Sequence, residues 1–178
     1  MRRDFIGLKL CADFVVSLEI AMKKILLSFK PFWAEKIMTG EKIYEYRKRF
    51  GNEPVMAYMY VSKPIKAIQG IVLLDSKIYL DDWESKYKDS TDIIARIQET
   101  KKNNTVAMPI TKVIPTNSIQ LNDIQKRFPR FFAPQMYYIL DNNPDLLKYI
   151  EEKIEYLPGE LDNTDMLSDT DRICEKFR

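Results

Sequence analysis

Short hydrophobic runs separated by turn residues predict a series of β-strands. Alternation with a period of two is clearest at residues 55–61, where Tyr58 and Tyr60 occupy one face and Ala57 and Met59 the other. Pro109 interrupts one of the runs, which predicts an edge or bulged strand at that point. The predicted strands cover residues 25–29, 42–49, 55–61, 67–74, 105–114 and 135–140.

Helical patterns separate these strands. Pro31 suits the first turn of a short helix, and Gly40 suits its C-terminal stop. Further helical segments are predicted around Trp83, at 93–101 and at 122–128. The clearest helix is predicted at 144–157, with an apolar stripe and a Pro-Gly stop behind it. Five or six short strands with intervening helices predict an α+β domain, built as a small, partly open β-barrel with flanking helices.

The 178 residues fit one domain with additions at both ends. Residues 22–140 carry the strand pattern. Residues 1–21 read either as an N-terminal extension or as a mis-assigned start, because Met22 opens a natural beginning; residues 14–20 could instead add a strand or a helical turn. Residues 141–157 are predicted to dock on the barrel as a helix, and residues 158–178 to form an acidic, loosely ordered tail.

Composition excludes several kinds of chemistry. The chain contains no histidine, which removes serine and cysteine catalysis that depends on imidazole, together with histidine-bound zinc. Cys11 and Cys174 lie near opposite ends; nothing supports a disulfide between them, and they fit a reducing cytoplasm. No apolar run is long enough to cross a membrane. We therefore expect a cytoplasmic protein without metal or organic cofactor; its oligomeric state stays open.

Charge is distributed unevenly along the chain. Residues 22–49 contain eight lysines or arginines against three glutamates, whereas residues 141–178 contain eleven acids against five bases. A basic front suits an anionic ligand, although both regions could simply be solvated faces.

The front of the chain resembles the ASCH family, a branch of the PUA-like small barrels. A helix stop followed by the pattern Gly40-x-Lys42-x-x-Glu45-x-Arg47 is the most specific element. The resemblance extends over roughly residues 22–140 in the same order and spacing. The matching segments are 27–31 (LSFKP), 34–37 (AEKI), 40–42 (GEK), 44–48 (YEYRK), 60–64 (YVSKP), 68–70 (IQG) and 133–135 (APQ).

This resemblance implies a cleft beside the first helix that binds RNA or a nucleotide-like ligand, in translation or transcription-related regulation. The alternative that it implies is a small amidohydrolase acting on a modified nucleoside such as N4-acetylcytidine. That activity uses a lysine, a threonine and a glutamate. Lys42 falls on the lysine position and would be catalytic with Glu45, which occupies the threonine position. The second acid has unaligned candidates at Asp81, Asp82 and Glu84.

The candidate ligand-binding residues lie in the motif and at strand ends. They are Lys30, Lys42, Glu45, Arg47, Tyr60 and Ser62. Lysine and arginine could hold a phosphate or a base edge, and Glu45 could orient one of them. Strict alternation places Lys42 and Glu45 on opposite faces, so a shared pocket requires an irregular turn after Gly40. The alternative is a structural ion pair between Glu45 and Arg47.

Aromatic residues allow two interpretations. Tyr44, Tyr46, Tyr58 and Tyr60 could stack on bases, but alternating aromatics are more often the packed face of a barrel. The loop that contains Arg127, Phe128, Arg130, Phe131 and Phe132 could be a nucleic-acid lip or a lid on the core. A third class of function, a structural adaptor, would use the 144–157 helix as its interaction face.

Overall fold

A curled sheet, left open between its two outermost strands, forms the centre of the fold. The structure is a computed structural model that describes residues 22–177. The extension predicted at 1–21, including its alternative strand or helical turn and Cys11, lies outside the described residues. In chain order, the described strands β1 to β8 are Lys23–Phe29, Tyr44–Arg47, Val55–Val61, Ala67–Leu74, Ile78–Tyr79, Val106–Gln120, Tyr137–Ile139 and Leu161–Asp162.

Helices connect and cover the sheet. In chain order, α1 to α5 are Pro31–Met38, Leu80–Lys86, Thr91–Lys101, Leu121–Arg127 and Pro144–Lys153, with short 3-10 turns at Leu140–Asn142, Thr164–Ser168 and Thr170–Arg172. No helix within residues 22–177 is long and apolar enough to cross a membrane.

The strand order is β2-β6-β4-β3-β1-β7, with the two-residue strands β5 and β8 attached to β6. β1 and β3 are parallel, from the pair Lys23–Val55 to the pair Phe29–Val61, and the connection between them carries α1 and β2. The other pairs are antiparallel. The α+β class and the small, partly open barrel predicted from the sequence are confirmed.

β6 is the longest strand, and it bends at its prolines. Pro109 lies opposite Tyr44 of β2, and Pro115 lies opposite Gly70 of β4. The register with β4 shifts near both places, so the predicted interruption is a bulge within an inner strand. Gly70 is required there, because a Cβ atom would lie 3.1 Å from the carbonyl oxygen of Ile114.

The two faces of the sheet bury different residues, as a period of two requires. Leu27, Ala57 and Met59 pack inside the curled sheet together with Ile37 of α1. The opposite face packs against α4 and α5. Its buried residues include Leu26, Tyr58, Tyr60, Ile124, Leu146 and Ile150.

The C-terminal part differs from its sequence-based prediction in two ways. The last helix ends at Lys153 instead of 157, and Leu157 is exposed. Residues 158–177, predicted as a loosely ordered tail, contact the domain: β8 pairs with β6, and the fully buried Asn163 donates from Nδ2 to the carbonyl oxygen of Ile110 at 3.0 Å. These anchors combine backbone pairing with long-range side-chain hydrogen bonds, neither of which composition predicts.

Candidate functional site

The connection between α1 and β2 breaks the strand pattern predicted for residues 42–49. Thr39 caps α1, and Gly40 adopts a φ of +74°, a conformation natural to glycine behind a helix. The amide of Lys42 donates to the carbonyl oxygen of Lys36 at 2.8 Å, and β2 begins only at Tyr44. This irregular turn places Lys42 and Glu45 side by side.

A buried triad of charges follows from that turn. Lys42 Nζ lies 2.8 Å from Glu45 Oε2, and Arg47 Nε lies 2.7 Å from Glu45 Oε1. Lys42 also donates to the carbonyl oxygen of Tyr44. Lys42 and Glu45 are only 5% and 6% exposed, so their charges are almost completely shielded from water and are stabilised mainly by each other and by nearby protein groups. The predicted ion pair between Glu45 and Arg47 is therefore present, with Lys42 as its third member.

Arg47 also ties the triad to the first strand. Its Nη2 donates to the carbonyl oxygen of Ser28 at 2.9 Å, and its guanidinium lies over the ring of Phe29. The hydroxyl of Ser28 in turn donates to the carbonyl oxygen of Pro134. The motif at 44–48 and the segment at 133–135 thus meet on opposite sides of β1, which explains why both belong to one site.

Burial sets the protonation tendency of Lys42. Desolvation lowers the pKa of its ammonium below the usual value, and the charge of Arg47 acts in the same direction. The carboxylate of Glu45 opposes this shift without cancelling it. The ammonium also lies 5.2 Å from the ring centre of Tyr46 and 5.7 Å from that of Trp33. A buried amine with a lowered pKa can act as a base or a nucleophile if a substrate reaches it.

A cleft of about 930 Å³ opens beside this triad. Its volume is near the upper end of the range of about 300–1,000 Å³ that small-molecule sites occupy. Five of the six predicted ligand-binding residues line it, namely Lys30, Glu45, Arg47, Tyr60 and Ser62. The structure brings these residues together from the junction of β1 and α1, from β2 and β3, and from the turn behind β3.

Lys42 is the exception, since it lines a neighbouring cavity of about 630 Å³. Glu45, Tyr46, Trp33 and Asn104 line both spaces and separate them. The C-terminal segment lines the Lys42 cavity, and the ring of Phe177 packs edge-on against Trp33 with the ring centres 5.8 Å apart.

The C-terminal segment is held by hydrogen bonds to this turn. Arg172 donates from Nη2 to the carbonyl oxygens of Gly40 and Glu41, and the amide of Cys174 donates to the hydroxyl of Tyr46 at 2.8 Å. Burial raises the pKa of the Cys174 thiol. Sequence reasoning did not connect this segment with the site, since nothing in an acidic tail indicates where it folds back.

The cleft carries a clear excess of positive charge. Its lining contains Lys30, Arg47, Lys63 and Lys66 against the single carboxylate of Glu45. Lys63 and Lys66 belong to the turn between β3 and β4, and both are exposed. Ser62 of this turn is among the ligand-binding residues predicted from the sequence, whereas the two lysines are not, although Lys63 lies in the matching segment at 60–64.

The candidate second acids lie elsewhere. Asp81 and Glu84 both pair with Lys101, at the contact between α2 and α3, and Asp82 is exposed on α2. None of the three lines the cleft or the Lys42 cavity. The acids that line the Lys42 cavity besides Glu45 are Glu99 and Glu175, which sequence reasoning missed.

The four tyrosines divide between core and cleft. Tyr44 and Tyr58 are buried, and burial raises the pKa of Tyr44 to about 12. Tyr60 is buried to the same degree, at 5% exposure, and Tyr46 is half-buried, but both of them line the cleft. The packed-face interpretation therefore accounts for most of the tyrosine surface, and only these last two are placed to meet a ligand.

Within residues 22–177, no group of three or more cysteine, aspartate or glutamate side chains is arranged to hold a metal ion. No protein-family model and no curated protein matches the sequence.

The fold does match solved structures. An ASCH protein of Zymomonas mobilis aligns with a TM-score of 0.58 and 18% identity, over 75% of this chain and 96% of its own. A tyrosine-to-phenylalanine variant of that protein aligns with a TM-score of 0.59 and 17% identity, and a serine-to-alanine variant with 0.58 and 18%. At this level of identity the likeness establishes architecture, and the described chain has the PUA-like α+β fold of ASCH proteins.

Proposed function

We propose that this protein binds a segment of RNA, or a nucleotide-like ligand, in the cleft beside α1. The observation that carries the proposal is the charge of the cleft, where four cations face one carboxylate. Phosphates are bound by lysine and arginine together, with arginine supplying a planar fork and lysine a mobile point charge. By the ASCH resemblance, its setting would be translation or transcription-related regulation in the cytoplasm.

Groups that could read a base lie among these cations. Trp33 offers ring surface for stacking, Tyr60 lines the cleft as a buried residue, and Asn104, Gln125 and Gln135 offer amide donors and acceptors. Their combination with exposed lysines is typical of single-stranded RNA sites, in which phosphate contacts supply affinity and unstacked bases supply specificity.

The triad has a supporting role in this proposal. Glu45 neutralises one of its two cations, so the group retains a net positive charge next to the cleft. Arg47 is fixed by Glu45 and by the backbone of Ser28, which leaves its guanidinium oriented before any ligand arrives. Preorganisation of this kind reduces the entropy lost on binding.

The second candidate function is the amidohydrolase, with Lys42 and Glu45 as its catalytic residues. The observation that favours it is the lowered pKa of Lys42 beside the carboxylate of Glu45. Against it, Lys42 lines the smaller cavity instead of the cleft, and its ammonium is already bound by Glu45 and by the carbonyl oxygen of Tyr44. We therefore prefer the binding function.

A salt series on three lysines tests the proposal. The variant Lys30→Gln, Lys63→Gln, Lys66→Gln removes exposed cleft cations and leaves the buried triad intact. The control variant Lys23→Gln, Lys86→Gln, Lys88→Gln removes three exposed cations that do not line the cleft. The slope of log affinity for single-stranded RNA against log salt should fall by about 2 in the first variant only, at about 0.7 per phosphate contact.

Hydrolysis of N4-acetylcytidine is measured for the same three proteins, and also for the variant Lys42→Met, which lacks the candidate catalytic lysine. Salt-dependent RNA binding without turnover supports the binding function. Turnover that disappears in Lys42→Met, while its thermal unfolding shows a folded protein, would replace it with the amidohydrolase. Equal RNA affinity in wild type, cleft variant and control would overturn the proposed site.

A further inference from the structure

The loop at residues 127–132, here called the lip, divides its aromatic residues between two tasks. Phe128 packs edge-on against Tyr149, and Phe131 is buried against Tyr138. Phe132, in contrast, is 76% exposed, the highest value among the exposed large hydrophobic residues of the described chain. The lip is thus anchored on the core by two rings and holds the third in solvent.

Hydrogen bonds fix the backbone behind that exposed ring. The amide of Phe131 donates to the carbonyl oxygen of Phe128 at 2.9 Å, and Gln125 Nε2 donates to the carbonyl oxygen of Phe131 at 3.0 Å. Gln125 itself lines the cleft. The backbone that carries Phe132 is therefore held by a residue of the cleft wall, and the exposed ring is accessible to a ligand.

The lip also separates two concave surfaces. Phe132 lines the cleft on one side and, on the other, a cavity of about 630 Å³. Arg127 and Arg130 line that second cavity, and no acidic residue does. Both arginines are exposed, and neither forms an ion pair with an acid within residues 22–177. A basic surface therefore continues beyond the cleft, with an exposed aromatic ring at the junction.

We infer that the lip binds the nucleotides of a single-stranded RNA that extend beyond the cleft. Phe132 stacks on the base at the junction, and Arg127 and Arg130 bind the phosphates that follow. This inference rests on the proposed function, because the cleft must hold the first nucleotides. The inferred ligand is an RNA strand and not a free nucleotide. A single nucleotide bound in the cleft would not reach Arg127 and Arg130, which lie on the other side of Phe132.

Two lengths of RNA test the inference. Fluorescein-labelled random-sequence RNA pools of about 4 and about 16 nucleotides span the range that one small binding module covers. Phe132→Ala should weaken binding of the long pool roughly 5- to 150-fold, the equivalent of one lost base stack, and should weaken the short pool clearly less, because Phe132 also lines the cleft. Arg127→Gln with Arg130→Gln should lower the salt slope of the long pool by about 1.4 and leave that of the short pool unchanged.

Matched controls separate the lip from general surface effects. Tyr156→Ala removes an aromatic residue that is 71% exposed and lines neither the cleft nor the second cavity. Lys86→Gln with Lys88→Gln removes two exposed cations at the end of α2, which also line neither space. Neither control should change either affinity.

Each remaining outcome has a distinct meaning. If wild type binds the long pool and the lip variants do so equally well, the inference is overturned while the cleft proposal stands. If the lip variants weaken both pools equally, the lip belongs to the cleft and the inference of an extended path is overturned. If wild type binds neither pool, the proposed function fails, and the inference fails with it.

Discussion

Lys42 Nζ lies 2.8 Å from Glu45 Oε2, although strict strand alternation would place these two side chains on opposite faces. The contact exists because Gly40 turns the chain after α1 and delays the start of β2 until Tyr44. One backbone irregularity therefore creates the buried triad, and the consequences of this arrangement can be measured.

Substitutions of the three charged residues should differ in their effect on the free energy of unfolding. Glu45→Gln leaves two neighbouring cations without a carboxylate, so it should lower the free energy of unfolding by about 3 kcal/mol. Lys42→Met leaves the Glu45–Arg47 pair balanced and should change that free energy by no more than about 1 kcal/mol. Urea unfolding of both single variants and the double variant measures this. Equal destabilisation by the two single substitutions would contradict the charge balance described here.

Stability should also depend on pH through Lys42. Because burial lowers the pKa of Lys42 below its ordinary value of 10.5, the unfolded chain binds more protons at this residue than the native protein does in the interval below 10.5. Stability contributed by this residue therefore rises with pH across that interval and is lost as pH falls. The quantity to measure is the unfolding free energy of wild type minus that of Lys42→Met, from about pH 7 to about pH 10.

This difference should become more favourable to wild type as pH increases. Tyrosines such as Tyr44, whose pKa burial raises to about 12, affect both proteins equally and cancel in the subtraction. A difference that stays flat or falls would show that Lys42 has no lowered pKa in the native protein.

The backbone at Gly40 should be sensitive to a side chain. Gly40→Ala forces alanine to a φ of +74° and brings its Cβ within 3.3 Å of Leu161, so we expect a loss of about 1–2 kcal/mol in unfolding free energy. Gly51 offers the matched control, because a Cβ there meets nothing within 4 Å and Gly51→Ala should be close to neutral. Thermal or urea unfolding measures the stability of the two variants. Similar losses of unfolding free energy would show that the backbone conformation of Gly40 has no special importance.

The attachment of the C-terminal segment can be followed at Cys174. This thiol is buried, and burial raises its pKa, so in a Cys11→Ser background it should react slowly with a thiol reagent at neutral pH. Arg172→Gln removes the hydrogen bonds to the carbonyl oxygens of Gly40 and Glu41 and should accelerate the reaction roughly tenfold.

Lys176→Gln changes an exposed charge in the same segment and serves as the control, for which no acceleration is expected. Fast labelling of Cys174 already in the unsubstituted segment would show that this region does not stay folded over the Lys42 cavity.

Patterns in the sequence predict most of the strands and helices and most of the residues that line the cleft. Alternating hydrophobic residues identified the inner strands, because each strand buries two faces against different layers. Glycine and proline identified the ends of α1, because only particular backbone conformations follow a helix. The motif around Lys42, Glu45 and Arg47 predicts a candidate site. Lys30, Tyr60 and Ser62 line the same cleft as Glu45 and Arg47, because strand ends converge at one edge of the sheet.

Three features of the region around the cleft depend on the tertiary structure, because no periodic pattern in the sequence indicates them. The placement of Lys42 in a cavity separate from the cleft depends on a turn that interrupts the pattern. The return of residues 161–177 to the site depends on long-range hydrogen bonds of the backbone and of side chains such as Arg172, whose distant partners the sequence does not indicate. Phe131 is buried against Tyr138, whereas its neighbour Phe132 is exposed. Two adjacent phenylalanines look the same in the sequence, and only the packing of distant residues makes one buried and the other exposed.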